Sequence, residues 1–348
     1  MKHRVLASVG FLAAAIAVAA LAPTPAAGQA LKAAPKAAAA KADAKAAART
    51  ALRTAWGDPD LQGIWDFATI TPMERPTELA GKEVLSDQEA AEFERTTLER
   101  RNPDRRDGGA AADVSRAYNQ FWWDYGTKVI GTKRTSLVVD PPDGRIPPMT
   151  EDGKKRTAAA AAALIRPSAG PEDRYLAERC LLGFNAGPPM FPSAYNNNVQ
   201  IFQAPGYVVL LIEMVHDARV VALDGRPHLP AHIRQWKGDS RGRWDGNTLV
   251  VETTNFRSEA NFRGAAGPAY RLLERFKRVD ADTLEYQFTA DDPNTWTRPW
   301  TAAVPMQRTE LPIYEYACHE GNYGMFNLLA GARAQEKAAE EAAKKATK

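Results

Sequence analysis

Three histidines, His216, His228 and His232, lie in one stretch reading EMVHDARVVALDGRPHLPAH, in a chain that holds only five. Histidine titrates near neutral pH, so its clustering among Glu213, Asp217 and Arg219 marks the first place to look for acid–base chemistry. In the run from His216 to Arg219 a carboxylate can set the imidazole tautomer and a guanidinium can hold an anionic group. His216 is therefore the candidate general base, with Arg219 beside it. Neighbouring residues on an extended strand point opposite ways, so Asp217 serves His216 only if the chain turns there. His228 and His232 have the spacing of four that suits zinc on a helix. Pro227 and Pro230 oppose a helix, which favours His228 as a catalytic residue without metal. A divalent-metal site of His228 and His232 with a third ligand from His216 or Glu213 is the alternative.

Other polar residues join this set. Tyr195, Asn196, Asn197 and Asn198 form a string of neutral amides behind a phenol. Amides facing a pocket bind sugar hydroxyls or neutralise a carboxylate, and amides in a loop cap backbone groups. With Tyr195 as a second proton-transfer group, the kit resembles that of a metal-free lyase. Glu213, Asn196 and Asn198 are read as substrate-binding residues. So are Arg234, Trp236, Arg241 and Trp244, which mix cations with indoles ahead of a turn, and Arg298, flanked by Trp296 and Trp300. His319, next to Cys318, reads as structural.

The sequence has no G-x-S-x-G elbow, Gly-rich phosphate loop, H-E-x-x-H, C-x-x-C or internal repeat. Serine hydrolases, nucleotide users and zinc-ribbon proteins are disfavoured on that ground. What remains is a cofactor-independent lyase or hydrolase acting on a polar, acidic sugar or aromatic small molecule. The competing reading is a non-catalytic small-molecule binding protein in which the histidines only support loops.

The elements that must position these residues divide at about residue 198. Before it, residues 61–70 read as a short strand, Ser86 opens a capping box with Glu89 ahead of a helix over 88–101, and RTSLVVD is a strand closed by proline turns. Residues 150–164 and 171–182 read as two further helices, the second carrying Cys180. After it come eight runs rich in branched and aromatic residues, the last being TWTRPWTA and IYEYAC, separated by turn chemistry. Such spacing argues for a mainly β domain, an antiparallel meander closing as a lipocalin-like barrel over residues 55–335, with helical insertions over about 86–182. A helix from about residue 327 ends the chain, its charged end covering 336–348. In YVVLLIEMVH both faces are apolar, so Leu210, Ile212, Met214 and His216 share one face of a covered strand. In TLEYQFTA, Glu285, Gln287 and Thr289 alternate with Leu284, Tyr286 and Phe288, a half-solvated pattern.

The first thirty residues read as a cleavable secretory signal, basic at the start and apolar through Leu21, and residues 31–54 as an Ala/Lys-rich tether. The overall charge of +3 comes from these ends, since residues 51–348 carry 38 basic against 41 acidic side chains. No nucleic-acid partner and no membrane contact after signal cleavage are expected, only a small-molecule substrate in the periplasm or outside the cell. In that oxidising compartment Cys180 and Cys318 either pair or stay as two buried thiols.

The segments GIWDF, RTSLVVDPPDGRIP, ERCL, YNNNVQIFQAPGYVVLLIEMVHDARVVALDGRPHLP, WKGDSRGRWDGNTLVVETTNF and RFKRVDADTLEYQFTADDPNTWTRPWTA together resemble a large group of exported bacterial proteins of unassigned activity. The resemblance spans nearly all of residues 55–335 and implies export without implying a reaction. A weaker likeness, through Gly63-x-Trp65 at the start of the first strand, is to the lipocalins.

Overall fold

Alternating apolar and polar residues along nine short strands roll the chain into a closed barrel. The computed structural model describes residues 52–105, 108–115, 123–259, 262–265 and 267–346, and of 113–115 the backbone alone. The stretches expected to be leader and, up to residue 51, tether lie outside them, as do Phe121 and Trp122. In chain order the strands are β1 (Gly63–Asp66), β2 (Val138–Asp140), β3 (Asn198–Ala204), β4 (Tyr207–Ile212), β5 (Asp217–Ala222), β6 (Asp239–Asp245), β7 (Thr248–Thr254), β8 (Arg271–Arg278), β9 (Thr283–Asp291) and β10 (Trp300–Thr309). The barrel runs β1-β3-β4-β5-β6-β7-β8-β9-β10, and β10 pairs back to β1 through Ile64 with Thr309 and Asp66 with Gln307. The short β2 adds to the outer reach of β10. The chain is thus mainly β, a lipocalin-like closed barrel with nine strands.

The meander is not antiparallel throughout. β5 and β6 meet in parallel at a single pair, Ala222 with Arg241. Parallel neighbours need a crossover that returns the chain to the end from which it started, and the proline-bearing connection 223–238 makes that return.

Inward positions alternate as the pattern requires. On β9, Leu284, Tyr286, Phe288 and Ala290 are buried while Glu285, Gln287 and Thr289 stay partly solvated. Trp65, Leu210, Phe276 and Trp300 are buried in the same cluster with them, so the barrel interior is a packed core. The chain between β1 and β3 reaches into one end of it: Ala186 and Met190 are fully buried, and the Met190 amide donates to the Tyr286 hydroxyl at 3.1 Å. Gly187 makes this approach possible, because with φ at 71° a Cβ there would lie 2.8 Å from the Pro189 carbonyl carbon.

The same insertion carries three helices, α1 (Asp87–Arg101), α2 (Gly109–Ser115) and α3 (Glu151–Ile165). The capping box of Ser86 and Glu89 is present, and Thr150 caps α3 through the Gly153 amide at 3.0 Å. A helix α4 (Tyr323–Ala346) closes the described chain. Cys180 and Cys318 form a disulfide with Cα atoms 5.6 Å apart. No helix among the described residues is long and apolar enough to cross a membrane.

Four expectations are corrected. The helix over 171–182 is only a short 3-10 turn at Pro171–Asp173 followed by turns. Asp173 and Glu178 accept from the Ala169 and Tyr175 amides there, and these local bonds compete with a helical ladder. The run 313–318 forms no strand: β1 already closes the barrel edge at the end of β10, and the Cys318 amide turns back to the Tyr316 carbonyl at 2.8 Å. Residues 295–299 form a turn ahead of β10, so Trp296 and Trp300 enter the core while Arg298 stays outside on Asp140. Finally, β4 stops at Ile212 and a corner follows in which Val215 and His216 take φ of 62° and 52°. His216 therefore leaves the buried face that Leu210, Ile212 and Met214 share.

Candidate active site

The plugged end of the barrel brings three carboxylates together. Asp66 ends β1 opposite Asn198, the first residue of β3. The Asn198 side-chain amide donates to Glu213 Oε2 at 2.7 Å, and the Glu213 backbone N–H returns to the Asn198 carbonyl at 3.0 Å. Glu213 is buried, with Oε1 accepting from the Tyr314 amide at 3.4 Å. Asp124 approaches from the insertion, its amide donating to the Ala194 carbonyl at 2.7 Å. Asn197 knots these segments together: its Oδ1 accepts from Ser193 and Asn185, and its amide nitrogen donates to the Asp124 carbonyl.

Asp124 remains exposed as a residue, but partial burial of its carboxyl pushes it up to about 6, and the charges of Asp66 and Glu213 push it the same way. Asp66 is also raised, by burial first, against the lowering effect of the Ala68 amide that donates to it, with the Glu213 charge adding to the rise. Removing a carboxylate from water and setting it near others both favour the protonated form.

This has a consequence for stability. The folded value for Asp124 lies above the unfolded one, so the folded protein holds an extra proton between about pH 4 and pH 6. Stability from this group is full below that window and is lost as pH rises through it. Asp124→Asn is expected to be more stable than wild type by about 1–2 kcal/mol at neutral pH, after allowance for solvent screening, and equal to it near pH 4. Urea unfolding at the two pH values checks this. A difference independent of pH would contradict it.

A cleft of about 440 Å³ is walled by segments that neighbour Asp66 and Asp124 in the chain, although none of the three carboxylates is itself a wall residue. Its walls include Trp123 and Tyr125 on either side of Asp124, Thr69 three residues past Asp66, and Ala194 three residues before Asn197. Three chain segments thus run from the cleft wall to the acidic cluster. Met73, Phe191, Arg101 and Arg263 complete the part of the wall that matters for chemistry. Such a volume suits a small organic molecule.

The residues singled out in the sequence separate into groups. Glu213 and Asn198 are bonded to each other, and Tyr195, packed edge-on against Phe184 at 5.4 Å, and Asn196 precede them on the same segment. His228 finds the carboxylate that was expected for His216: its Nδ1 lies 3.0 Å from Asp239 Oδ2, and Arg241 holds the other oxygen at 2.8 Å. The Leu229 amide also donates to Asp239 at 3.0 Å, so this pair latches the crossover loop as well. His216 and His232 are exposed, and Asp217 pairs instead with Lys237 at 2.6 Å. Arg219 points into the barrel, where Glu274 takes both ends of its guanidinium. Arg234 is exposed, Trp236 lies under Arg257 at 4.4 Å, Trp244 is half-buried against the core, and Arg298 pairs with Asp140. Among the described residues, no group of three His, Cys, Asp or Glu side chains is arranged to hold a metal ion. His216, His228 and Arg219 therefore do not converge on one cavity.

Sequence reasoning missed Asp66, Asp124, Arg101 and Arg263. Asp66 and Asp124 each follow a tryptophan in an aromatic run, GIWDF and WWDYG, and an acid embedded in rings that must be buried was the available signal. Comparison of the chain with protein-family models, curated proteins and solved structures finds no match.

Proposed function

We propose that this protein is an exported, cofactor-independent lyase or hydrolase that binds a polar small molecule, a sugar or an aromatic compound, in the cleft and works on it by proton exchange. The observation that carries this reading is that a ligand-sized cleft is walled by Trp123 and Tyr125, the residues on either side of Asp124, whose carboxyl interacts with those of Asp66 and Glu213. A group that titrates near 6 both accepts and donates protons at neutral pH, the property a general acid or base needs. Asp124 is assigned that role because it sits between two cleft residues. Asp66 and Glu213 act as positioning residues whose charges keep the Asp124 proton in range. Placing the proton-transfer group here moves it away from His216, which stands on an exposed corner. The leader and the disulfide support export to an oxidising compartment.

The test is a turnover screen of uronates, keto-sugars and aromatic ethers with the full mature chain. Asp124→Asn is expected to lower turnover at least about a hundredfold, as loss of a general acid–base group does, and to remove a limb near pH 6 from the rate profile. His216→Ala should retain wild-type rates. An Asp124→Asn protein with full turnover would overturn the proposal, as would a cleft ligand that binds while no compound in the screen is converted.

A further inference from the structure

We infer that the cleft selects aromatic carboxylates, with Arg263 and Arg101 receiving the anion and Trp123, Tyr125 and Phe191 receiving the ring. This rests on the reading that the cleft is the functional site. Among the described residues neither arginine has a hydrogen bond or ion pair to a carboxylate, whereas others such as Arg134, Arg257, Arg275 and Arg298 do. Crowding by the cleft walls lowers the basicity of both guanidinium groups. Glu74 acts on Arg263 only at a distance, and its Oε1 is occupied by the Ile146 amide at 3.0 Å. A guanidinium that is partly desolvated and unpaired is available to a bound anion, which it meets with parallel donors.

The backbone at Arg263 is an independent observation. Phe262 and Ala265 exchange hydrogen bonds of 3.1 and 3.0 Å across a two-residue turn, in which Arg263 has φ of 51° and Gly264 φ of 92°. Both central positions of such a turn favour glycine or asparagine, so a long cationic side chain in the first is held against its backbone preference. The turn is pinned from below, where the Phe262 ring packs on Phe191 at 5.6 Å and stacks on Trp300 at 5.9 Å. Strain kept by a rigid mount, with the side chain on a cleft wall, is the pattern of a ligand contact. Arg101 ends α1 and lies over the Tyr125 ring at 5.2 Å, which fixes it along the aromatic part of the wall. The apolar rings favour a planar body over a polyhydroxylated one.

Titration calorimetry with benzoate, benzamide and glucuronate tests this on the mature chain. Benzoate should bind saturably and at least about tenfold more tightly than its neutral amide or glucuronate, because charge-assisted bonds to the anion are lost or the ring contact is missing. Arg263→Gln should weaken benzoate about tenfold or more. Arg263→Gly should lose binding equally while its melting temperature rises, since glycine relieves the left-handed turn. Arg275→Gln, whose arginine pairs with Asp245 at the other end of the barrel, should bind as wild type. Equal affinity for benzoate and benzamide, tighter binding of glucuronate, or unchanged binding by Arg263→Gln would overturn the inference. Asp124→Asn separates it from the catalytic proposal: that variant should keep benzoate binding whether or not turnover is lost.

Discussion

Glu274→Ala is expected to lower the free energy of unfolding by about 3–5 kcal/mol, the largest single effect in this molecule. Glu274 is fully buried inside the barrel and Arg219 nearly so. Two bonds of 2.6 and 2.9 Å join the guanidinium to the carboxylate, and the Tyr286 hydroxyl donates to the same carboxylate at 2.8 Å. Burial disfavours the Arg219 charge, and the adjacent Glu274 carboxylate more than offsets this, so the guanidinium stays firmly protonated. Taking away the carboxylate strands that charge in the core with no route to water. The Arg219 Nε already lacks a partner, so nothing local can take over. The pair itself is a different matter, because two buried charges lose on desolvation most of what they gain from each other. Arg219→Met combined with Glu274→Leu should therefore recover most of the lost stability. Urea unfolding of the two single variants and the double variant measures both effects. A Glu274→Ala protein within about 1 kcal/mol of wild type would refute the account, since an unpaired buried charge cannot be that cheap.

Replacing both Cys180 and Cys318 with serine is expected to cost about 2–5 kcal/mol. The bridge spans 138 residues of chain and so constrains the unfolded state over strands β3 to β10, leaving β1 and the helices of the insertion outside the closed loop. It also ties the turn ahead of the Ala186–Met190 plug to the segment leading into α4, where Asn322 already donates to the Glu178 carbonyl at 2.9 Å. Loss of the bridge should loosen these two segments first, while the strand core stays protected from amide exchange. Thermal unfolding with and without a reducing agent, read beside limited proteolysis, tests both parts. Identical midpoints for the oxidised and reduced protein would show that the bridge carries no stability.

The barrel was legible because strand parity is local. In β9 the order Leu284, Glu285, Tyr286, Gln287 places one face inward whatever lies elsewhere, and DGN or DADT can only turn the chain back. The capping box of Ser86 and Glu89 was legible for the same reason, since the two sit three residues apart. The site was less so. Three residues apart in sequence, His216 and Arg219 part company because a left-handed corner at Val215 and His216 follows the end of β4 and β5 then turns Arg219 inward. Distant in sequence, His228 and Asp239 meet because the crossover loop folds back on the start of β6.

Composition and periodicity alone determined that this chain makes a mainly β barrel with a charged helix at its end, and that its two cysteines were candidates for a bridge. Which titratable groups share a site was decided only by the tertiary structure. Asp66, Asp124 and Glu213 are spread over well over a hundred residues, and a carboxyl's proton affinity depends on the water it loses and the charges it faces. Both are properties of the closed barrel end and its plug, and no local run of residues encodes them.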